Sequence, residues 1–234
     1  MKKLVALAAV LGLLAVYMPS AKAAGIEAGQ SMVSLTGGVA IPAQKSGVKI
    51  EDDGVTYGEL YWGNTGGQFG LSYMYFVHEY IGVGLELNDA FFGEKEQTIV
   101  SIPGVGKDSF KSKMNTFNAM VTARVNANPK NSLRVYVPFG LGLTHAKGKI
   151  KEIWNDFYDP ADSGSESYSS SNNSFGWFVG LGAEADVTDH FALGAEVRYA
   201  GFRVDTDKYD DEGSVNGKKN YGYTSILVKA SYRF

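Results

Sequence analysis

The chain has 234 residues, contains no cysteine and carries a formal net charge of −3 at pH 7. Without cysteine it can form no disulfide, thiol nucleophile or thiolate metal site. An acidic chain also lacks the positive surface that binds nucleic acid, so we expect no nucleic-acid partner. The length suits one all-β domain.

The first residues have the composition of a secretory signal peptide. Met1-Lys-Lys3 is basic, an apolar run extends from Leu4 to Met18, and Ala21-Lys-Ala23 supplies small residues for cleavage. The apolar run is too short to span a bilayer as a helix. We predict that residues 1–23 are a signal peptide and residues 24–234 the mature domain, whose net charge falls from −3 to −6 with the loss of three lysines. An uncleaved membrane anchor is the alternative.

Eight later segments alternate apolar and polar residues with a period of two, which is typical of strands with one apolar face. In the last of them, Ile226, Val228, Ala230, Tyr232 and Phe234 form the apolar face. The segments cover about residues 30–41, 66–77, 80–91, 114–127, 133–146, 175–187, 190–203 and 223–234.

The connections between these segments alternate strictly between short turns and long stretches. The long ones cover about residues 42–65, 92–113, 147–174 and 204–219. Segments of about 10 residues with a period of two, joined in this way, are typical of transmembrane β-barrels. We therefore predict an all-β protein, an eight-stranded antiparallel up-and-down barrel, with both termini in the periplasm and four long extracellular loops.

Charged residues collect on the polar faces of the predicted strands. An Arg or Lys in the middle of the lipid face would cost about 2 to 4 kcal/mol, so these residues should point inward and pair. Eight strands enclose only enough space for side chains. We predict a filled lumen with a network of Glu86, Arg124, Arg134, Glu184, Asp186, Glu196, Arg198, Lys229 and Arg233. A charged, water-filled pore is the alternative.

Three further features have geometric interpretations. Glycine pairs such as Gly140 and Gly142 lie mid-strand, where they should make room for bulky neighbours rather than bind phosphate. Pro138 lies within the fifth predicted strand, where we expect a local bulge. Aromatic residues should form girdles at the two membrane interfaces, a set that includes Tyr61, Trp62, Tyr80, Phe91, Phe92, Phe117, Phe175, Trp177, Phe191, Tyr199, Tyr221, Tyr223, Tyr232 and Phe234.

The turn and strand from Thr188 to Tyr199 and the closing Tyr232-Arg-Phe234 resemble the small bacterial outer-membrane barrels of the OmpA/OmpX and opacity types. The resemblance covers the whole mature length. It implies an integral outer-membrane protein with a structural or surface-interaction role, surrounded by membrane lipid and lipopolysaccharide and expected to be a monomer. It also implies that the barrel-assembly machinery recognises Tyr232 and Phe234. The extracellular ligand stays unknown.

Two other functions remain open at this point. One is a narrow channel for small or apolar solutes. The other is a lipid A-modifying enzyme, for which His145 is the candidate, because some barrels of this kind are acyl-modifying enzymes with a His, a Ser and an acidic residue near the outer leaflet. The sequence Thr144-His-Ala-Lys147 has no Ser two residues after the histidine. We therefore expect no catalytic residue and no enzyme.

The long connections carry the remaining candidate residues. Trp154, Phe157 and Tyr158 are a possible extracellular contact. The acidic stretch from Asp205 to Glu212 departs from the EF-hand pattern, because Tyr209 and Asp210 stand where a ligand and a glycine are needed. We predict a solvated loop there, with weak divalent-ion bridging to lipopolysaccharide as the alternative. No cofactor and no metal site are predicted.

Overall fold

The computed structural model describes residues 25–43, 48–52, 55–60, 63–102, 106–156, 163–205 and 218–234. The predicted signal peptide lies outside these ranges. None of these ranges contains a helix that could span a membrane. The strands of the described ranges are β1 (Ser31–Pro42), β2 (Val48–Asp52), β3 (Val55–Leu60), β4 (Asn64–His78), β5 (Ile81–Gly93), β6 (Lys95–Ile102), β7 (Gly106–Asn126), β8 (Leu133–Asp156), β9 (Gly164–Asp186), β10 (Phe191–Asp205) and β11 (Lys218–Arg233).

Eight of these strands close into a ring. Their order is β1, β4, β5, β7, β8, β9, β10 and β11, and β11 pairs back with β1. All pairings are antiparallel. β6 pairs with β7 outside the ring, and β2 and β3 form a separate hairpin. The predicted eight-stranded antiparallel barrel is confirmed.

The stagger of the strands fixes the size of the barrel. Paired residues followed once around the ring from Met32 lead back to β1 at Pro42, ten residues farther along, through Met74, Gly84, Thr122, Gly140, Phe178, Ala200 and Tyr223. With a rise of about 3.3 Å per residue and strands about 4.8 Å apart, this stagger tilts the strands by about 40°. A barrel of this size is filled by its own side chains.

The outer face of the ring is an apolar belt. On β8 the exposed side chains are Leu133, Val135, Val137, Phe139, Leu141 and Leu143. At the tilt given above, this stretch rises by about 25 Å, the height of the apolar band of outer-membrane barrels. Between these residues, Arg134 and Tyr136 point inward and are buried. The alternation therefore places lipid outside and polar groups inside.

Several strands continue past the belt, where the sequence had indicated loops. We call this extension the blade; it consists of β6, residues 106–113 of β7, 147–156 of β8 and 164–171 of β9. The connections predicted as long loops over 92–113 and 147–174 are therefore largely strand. Pairing satisfies their backbone polar groups, although in stretches such as Lys147–Lys151 the outward side chains are the polar ones.

Pro138 causes no bulge, so that expectation was wrong. The register between β7 and β8 runs through the pair Arg124–Pro138 without a shift. On the other side, the pairing of β8 with β9 is interrupted between Tyr136 and Phe139 and resumes in the same register. The missing N–H of the proline is accommodated by omitting ladder pairs on one side only.

The aromatic girdle is only partly as predicted. Tyr80, Phe91, Phe117, Phe175, Trp177, Tyr199, Tyr232 and Phe234 are exposed on the outer face. Phe92, Tyr221 and Tyr223 are instead buried in the lumen, at 1%, 3% and 2% exposure. The alternation along each strand places these three residues on the inward face. Their aromatic character alone does not distinguish a girdle residue from a lumen residue. Tyr61 and Trp62 lie outside the described residues.

Candidate functional site

The nine charged residues predicted for the lumen all lie inside the barrel. They come from β5, β7, β8, β9, β10 and β11, and none is more than 4% exposed. Five are cationic and four are carboxylates. We name the two ends of the barrel by what they carry: the terminal end holds Ser31 and Arg233, and the blade end holds the blade.

A terminal-end cluster consists of Arg124, Arg134, Glu184, Asp186 and Arg233. Arg124 donates from Nη1 to Oε2 of Glu184 at 2.9 Å and from Nη2 to Oε1 at 2.6 Å. Arg134 donates from Nη1 to Oδ2 of Asp186 at 2.6 Å and from Nε to Oε1 of Glu184 at 3.2 Å. Arg233 donates to Asp186 as well. The two shared carboxylates of β9 thus join four strands: the neighbouring β7 and β8 and, across β10, β11.

A central cluster lies farther toward the blade end and consists of Glu86, Glu196 and Arg198. Arg198 donates to both carboxylates, and its guanidinium lies 4.5 Å from the ring centroid of Phe178. Tyr136 connects the two clusters, because its hydroxyl donates to Oε2 of Glu196 at 3.0 Å while its ring lies 3.7 Å from the guanidinium of Arg124.

Lys229 lies near both clusters but does not pair with either. It is 4% exposed, and its Nζ lies 5.2 Å from the ring centroid of Tyr136. Within the described residues its amine makes no ion pair with a carboxylate. The sequence could place this lysine inside the barrel but could not show that it would lack a partner.

The lumen becomes uncharged toward the blade end. Asn118 donates from Nδ2 to Oδ1 of Asn88 at 2.7 Å and accepts from the hydroxyl of Thr144 at 2.7 Å. Beyond these amides lies an apolar layer that contains Phe92, Tyr223, Phe202, Tyr221 and Met114. The rings of Phe92 and Tyr223 meet edge to face at 5.3 Å, and those of Phe202 and Tyr221 stack at 5.8 Å.

The terminal end is closed by the segment from Gly25 to Gln30, which the sequence analysis missed. Ile26 is 1% exposed and lies in one apolar cluster with Met32, Met74 and Phe76. Its N–H donates to the carbonyl of Pro129 at 2.9 Å, and Arg233 donates to the carbonyl of Gly25. An isolated isoleucine before the first alternating segment was the available signal.

Inward glycines make the space that these large side chains occupy. A Cβ added to Gly140 would lie 2.3 Å from the ring of Phe178, and one added to Gly182 would lie 2.3 Å from the ring of Tyr136. The space-making interpretation is therefore confirmed for Gly140 and Gly182, whereas a Cβ added to Gly142 would lie 2.1 Å from the backbone oxygen of Ala119 on the neighbouring strand. A lumen cavity of about 10 Å³, lined in part by Gln68, Asn118 and Arg198, has room for about one water molecule.

The other candidate residues lie outside the lumen. Phe234 and Tyr232 are exposed on the outer face, with ring centroids 6.4 Å apart. Trp154 lies on β8 in the blade, opposite Gly164. Phe157, Tyr158 and residues 206–212 are outside the described ranges.

His145 lies on the outer face at the upper edge of the belt. Its Nδ1 is 2.7 Å from Oδ1 of Asn173 on the neighbouring strand. This arrangement holds the imidazole ring against an amide. Within the described ranges no serine hydroxyl or carboxylate is hydrogen-bonded to the ring.

Comparison with known proteins places this architecture in context. A family model described as "Outer membrane protein beta-barrel domain" matches residues 6–234. Outer membrane protein PagN of Salmonella typhimurium is 27% identical over 178 residues, which cover 74% of this chain and 71% of PagN.

Solved outer-membrane proteins are similar at lower identity. OprG from Pseudomonas aeruginosa has a TM-score of 0.49 and 14% identity, covering 90% of this chain and 98% of OprG. Neisserial surface protein A has a TM-score of 0.48 and 15% identity, covering 88% and 99%. Ail of Yersinia pestis has a TM-score of 0.39 and 19% identity, with the same coverage as Neisserial surface protein A.

Proposed function

The chain belongs to the family of outer-membrane β-barrel domains, and from this membership we propose that it is a sealed, non-enzymatic barrel that presents its blade to other surfaces. It is a protein of the bacterial outer membrane. The filled lumen beneath a strand extension is the observation that carries the proposal. A barrel that conducts nothing can still hold a rigid sheet at a fixed height above the lipid.

The layered lumen supports a sealed barrel. An ion crossing it would have to displace Arg124 from Glu184, then pass the central cluster and finally the ring layer of Phe92 and Tyr223. Breaking one buried ion pair by removing a partner costs about 3 to 5 kcal/mol. The segment at Ile26 closes the opposite end. These successive barriers favour a structural lumen over a conducting one.

The connections support an orientation with both termini in the periplasm. β4 and β5 are joined by two residues, and β9 and β10 by four, all at the terminal end. Outer-membrane barrels have short periplasmic turns and longer extracellular connections. In this orientation the blade projects from the cell.

The blade supports a contact role because it is an ordered surface rather than a set of separate loops. Beyond Thr144 and Ser174, the pairing of β8 with β9 continues without interruption to Trp154 and Gly164. These ten further pairs extend about 25 Å past the belt at the strand tilt given above. β6 and β7 widen the same sheet. Trp154 lies at its tip and, with Phe157 and Tyr158 beyond it in sequence, is our candidate for an aromatic contact.

The experiment compares the full-length protein with a shortened variant in which residues 150–168 are replaced by Asn-Gly, a two-residue hairpin turn. Both proteins are reconstituted in liposomes and tested on arrays of glycans and extracellular-matrix proteins. We expect binding by the full-length protein and loss of that binding in the variant, with heat-modifiable gel migration unchanged. Equal binding by both would contradict the contact role of the blade.

A separate experiment tests the proposal that the barrel has no enzymatic activity. If His145 has no catalytic role, then His145→Ala leaves the mass spectrum of the cell's lipid A unchanged. A shift in acyl-chain number between cells with the parent and the variant protein would instead indicate lipid modification.

A narrow channel is the second candidate function, and Lys229 favours it. The amine carries the excess positive charge of the lumen and is not fixed by an ion pair. A small displacement of that side chain would be the first step of any opening. Swelling of liposomes that contain the purified protein, in an isotonic solution of a small solute, would support this function.

A further inference from the structure

The outer face of the blade carries a row of lysines directly above the belt. Lys147, Lys149 and Lys151 continue the lipid-facing positions of β8 beyond Leu143, and Lys113 continues those of β7. Lys113 stands directly opposite Lys149 in the register of the two strands. We define Lys113, Lys147, Lys149 and Lys151 as the lysine row.

Like charges directly opposite each other in a sheet are destabilising. One neighbour is neutralised, because Lys111 lies 3.7 Å from Glu94 and 3.4 Å from Glu96. The lysine row has no such partner: within the described ranges none of its four amines makes an ion pair with a carboxylate. On the other side, β9 places Ser171 opposite Lys147 and Ser169 opposite Lys149. Hydroxyls can hydrogen-bond an anion but cannot neutralise a lysine.

The height of the row identifies the anion that can reach it. Leu143 is 68% exposed at the upper edge of the belt. Lys147 is four residues farther along the tilted strand, which raises its Cα by about 10 Å. The headgroup zone begins at the edge of the hydrocarbon and is about 5 to 8 Å thick on each side of a bilayer. A flexible lysine side chain at this height reaches that zone from above.

An apolar groove of about 570 Å³ lies below the row on the lipid face. It crosses β1, β4, β5, β7 and β8, and Ala119, Val121, Gly142 and Leu143 form its upper end. Residues paired with one another from β1 through β4, β5 and β7 to β8 lie progressively closer to the blade end, because the strands are staggered. The groove therefore rises toward the lysine row. An acyl chain in the groove would bring its headgroup to Lys147.

We propose that the lysine row and the groove together bind a phosphorylated glycolipid of the outer leaflet, with its phosphates on Lys113, Lys147 and Lys149 and an acyl chain against Ala119 and Leu143. Phosphate oxygens accept strong charge-assisted hydrogen bonds from lysine. The site concerns the lipid around the barrel and does not depend on what the tip of the blade contacts.

The experiment uses the purified full-length protein in detergent micelles. It is titrated with lipid A that carries both phosphates and with the same lipid after removal of the phosphates, and bound lipid is counted by native mass spectrometry. The test variant is Lys147→Gln/Lys149→Gln. The charge-matched control is Lys130→Gln/Arg203→Gln, which removes two exposed cations that lie outside the lysine row, in the turn before β8 and on β10.

From about 1 kcal/mol per lysine near an anionic surface, the test variant should bind bisphosphorylated lipid A about 20- to 30-fold more weakly. The control should stay within about twofold of the parent, and dephosphorylated lipid should not distinguish the three proteins. Equal weakening in the control would overturn the proposal. So would displacement of the lipid by inorganic phosphate or by a soluble polyphosphate, because either would identify a site for a free polyanion rather than for a lipid.

Discussion

Arg124 donates two hydrogen bonds to Glu184 inside the lumen, from Nη1 to Oε2 at 2.9 Å and from Nη2 to Oε1 at 2.6 Å. Neither side chain is more than 1% exposed. Arg134 donates to the same carboxylate at 3.2 Å. One carboxylate thus compensates two buried cations from different strands. The barrel should consequently be sensitive to a loss of negative charge at this position.

We predict that Glu184→Gln lowers the free energy of unfolding by about 3 to 5 kcal/mol, because it removes the carboxylate that pairs with the buried Arg124 and leaves Arg134 with Asp186 alone. Urea unfolding in phospholipid vesicles, followed by heat-modifiable gel migration, measures this. The control is Lys130→Gln at the exposed pair with Glu79, 3.3 Å apart, where Lys130 is 77% exposed. There the cost should be at most about 1 kcal/mol. Equal costs for the two variants would contradict the cluster.

Lys229→Met should leave the unfolding free energy unchanged or raise it by about 1 kcal/mol. The substitution removes a buried charge without breaking an ion pair and fills similar space with an apolar chain. The same urea assay applies. If Lys229→Met lowered the free energy of unfolding as much as Glu184→Gln does, the amine would have to stabilise the carboxylates of the two clusters at a distance. That result would contradict our interpretation that Lys229 has no partner in the lumen.

Gly140→Ala should destabilise the barrel by about 1 to 3 kcal/mol, because its new methyl group meets the ring of Phe178. Gly37→Ala is the matched control in β1, since nothing lies within 4 Å of a Cβ added there. We expect the control to be neutral or slightly stabilising. If both variants behave alike, inward glycines have some role other than making space.

Phe234→Ala should reduce the amount of protein that reaches the outer membrane while changing the unfolding free energy in vesicles by about as much as Leu133→Ala does. The ring is 62% exposed on the lipid-facing surface and stacks on Tyr232, so its removal, like that of Leu133, mainly costs apolar contact with lipid, about 1.5 to 3 kcal/mol for a large side chain. Quantitative immunoblotting of membrane fractions measures the first effect. Leu133→Ala, another exposed belt residue, is the control. Equal membrane levels for the two variants would argue against recognition of the terminal aromatic residues by the assembly machinery.

Within the belt, the fold could be read from the sequence because lipid imposes a strict rule. Leu141 and Leu143 must face outward and Gly140 and Gly142 inward, so the period of two survives in the residue types. The same rule placed nine charged residues inside the barrel. Above the belt the rule ends: in Lys147-Gly-Lys-Ile-Lys151 the outward residues are the polar ones, and the strand extension was therefore predicted as a loop.

The partners inside the lumen could not be predicted, because they depend on the relative height of residues on different strands. That height is set by the stagger of ten residues around the ring, which no local pattern encodes. Glu184 and Arg134 are directly opposite each other in the register, whereas Glu86 and Arg198 meet across the lumen. For the same reason Lys229 was expected to pair. Tyr221 and Tyr223 were assigned to the outer girdle for a different reason: their aromatic character was given more weight than the alternation, which places them inward.

The barrel is inverted relative to a soluble protein, with lipid outside and a filled polar lumen inside. Because the chain has no cysteine, single cysteines can be introduced along β8 from Leu133 to Lys151, spin-labelled in vesicles and tested for contact with oxygen and with a water-soluble paramagnetic reagent. We predict oxygen access at every second position through Leu143, little access to either reagent between them, and access to the aqueous reagent from Lys147 onward. Uniform access to the aqueous reagent at the inward positions, or oxygen access without a period of two, would contradict the account.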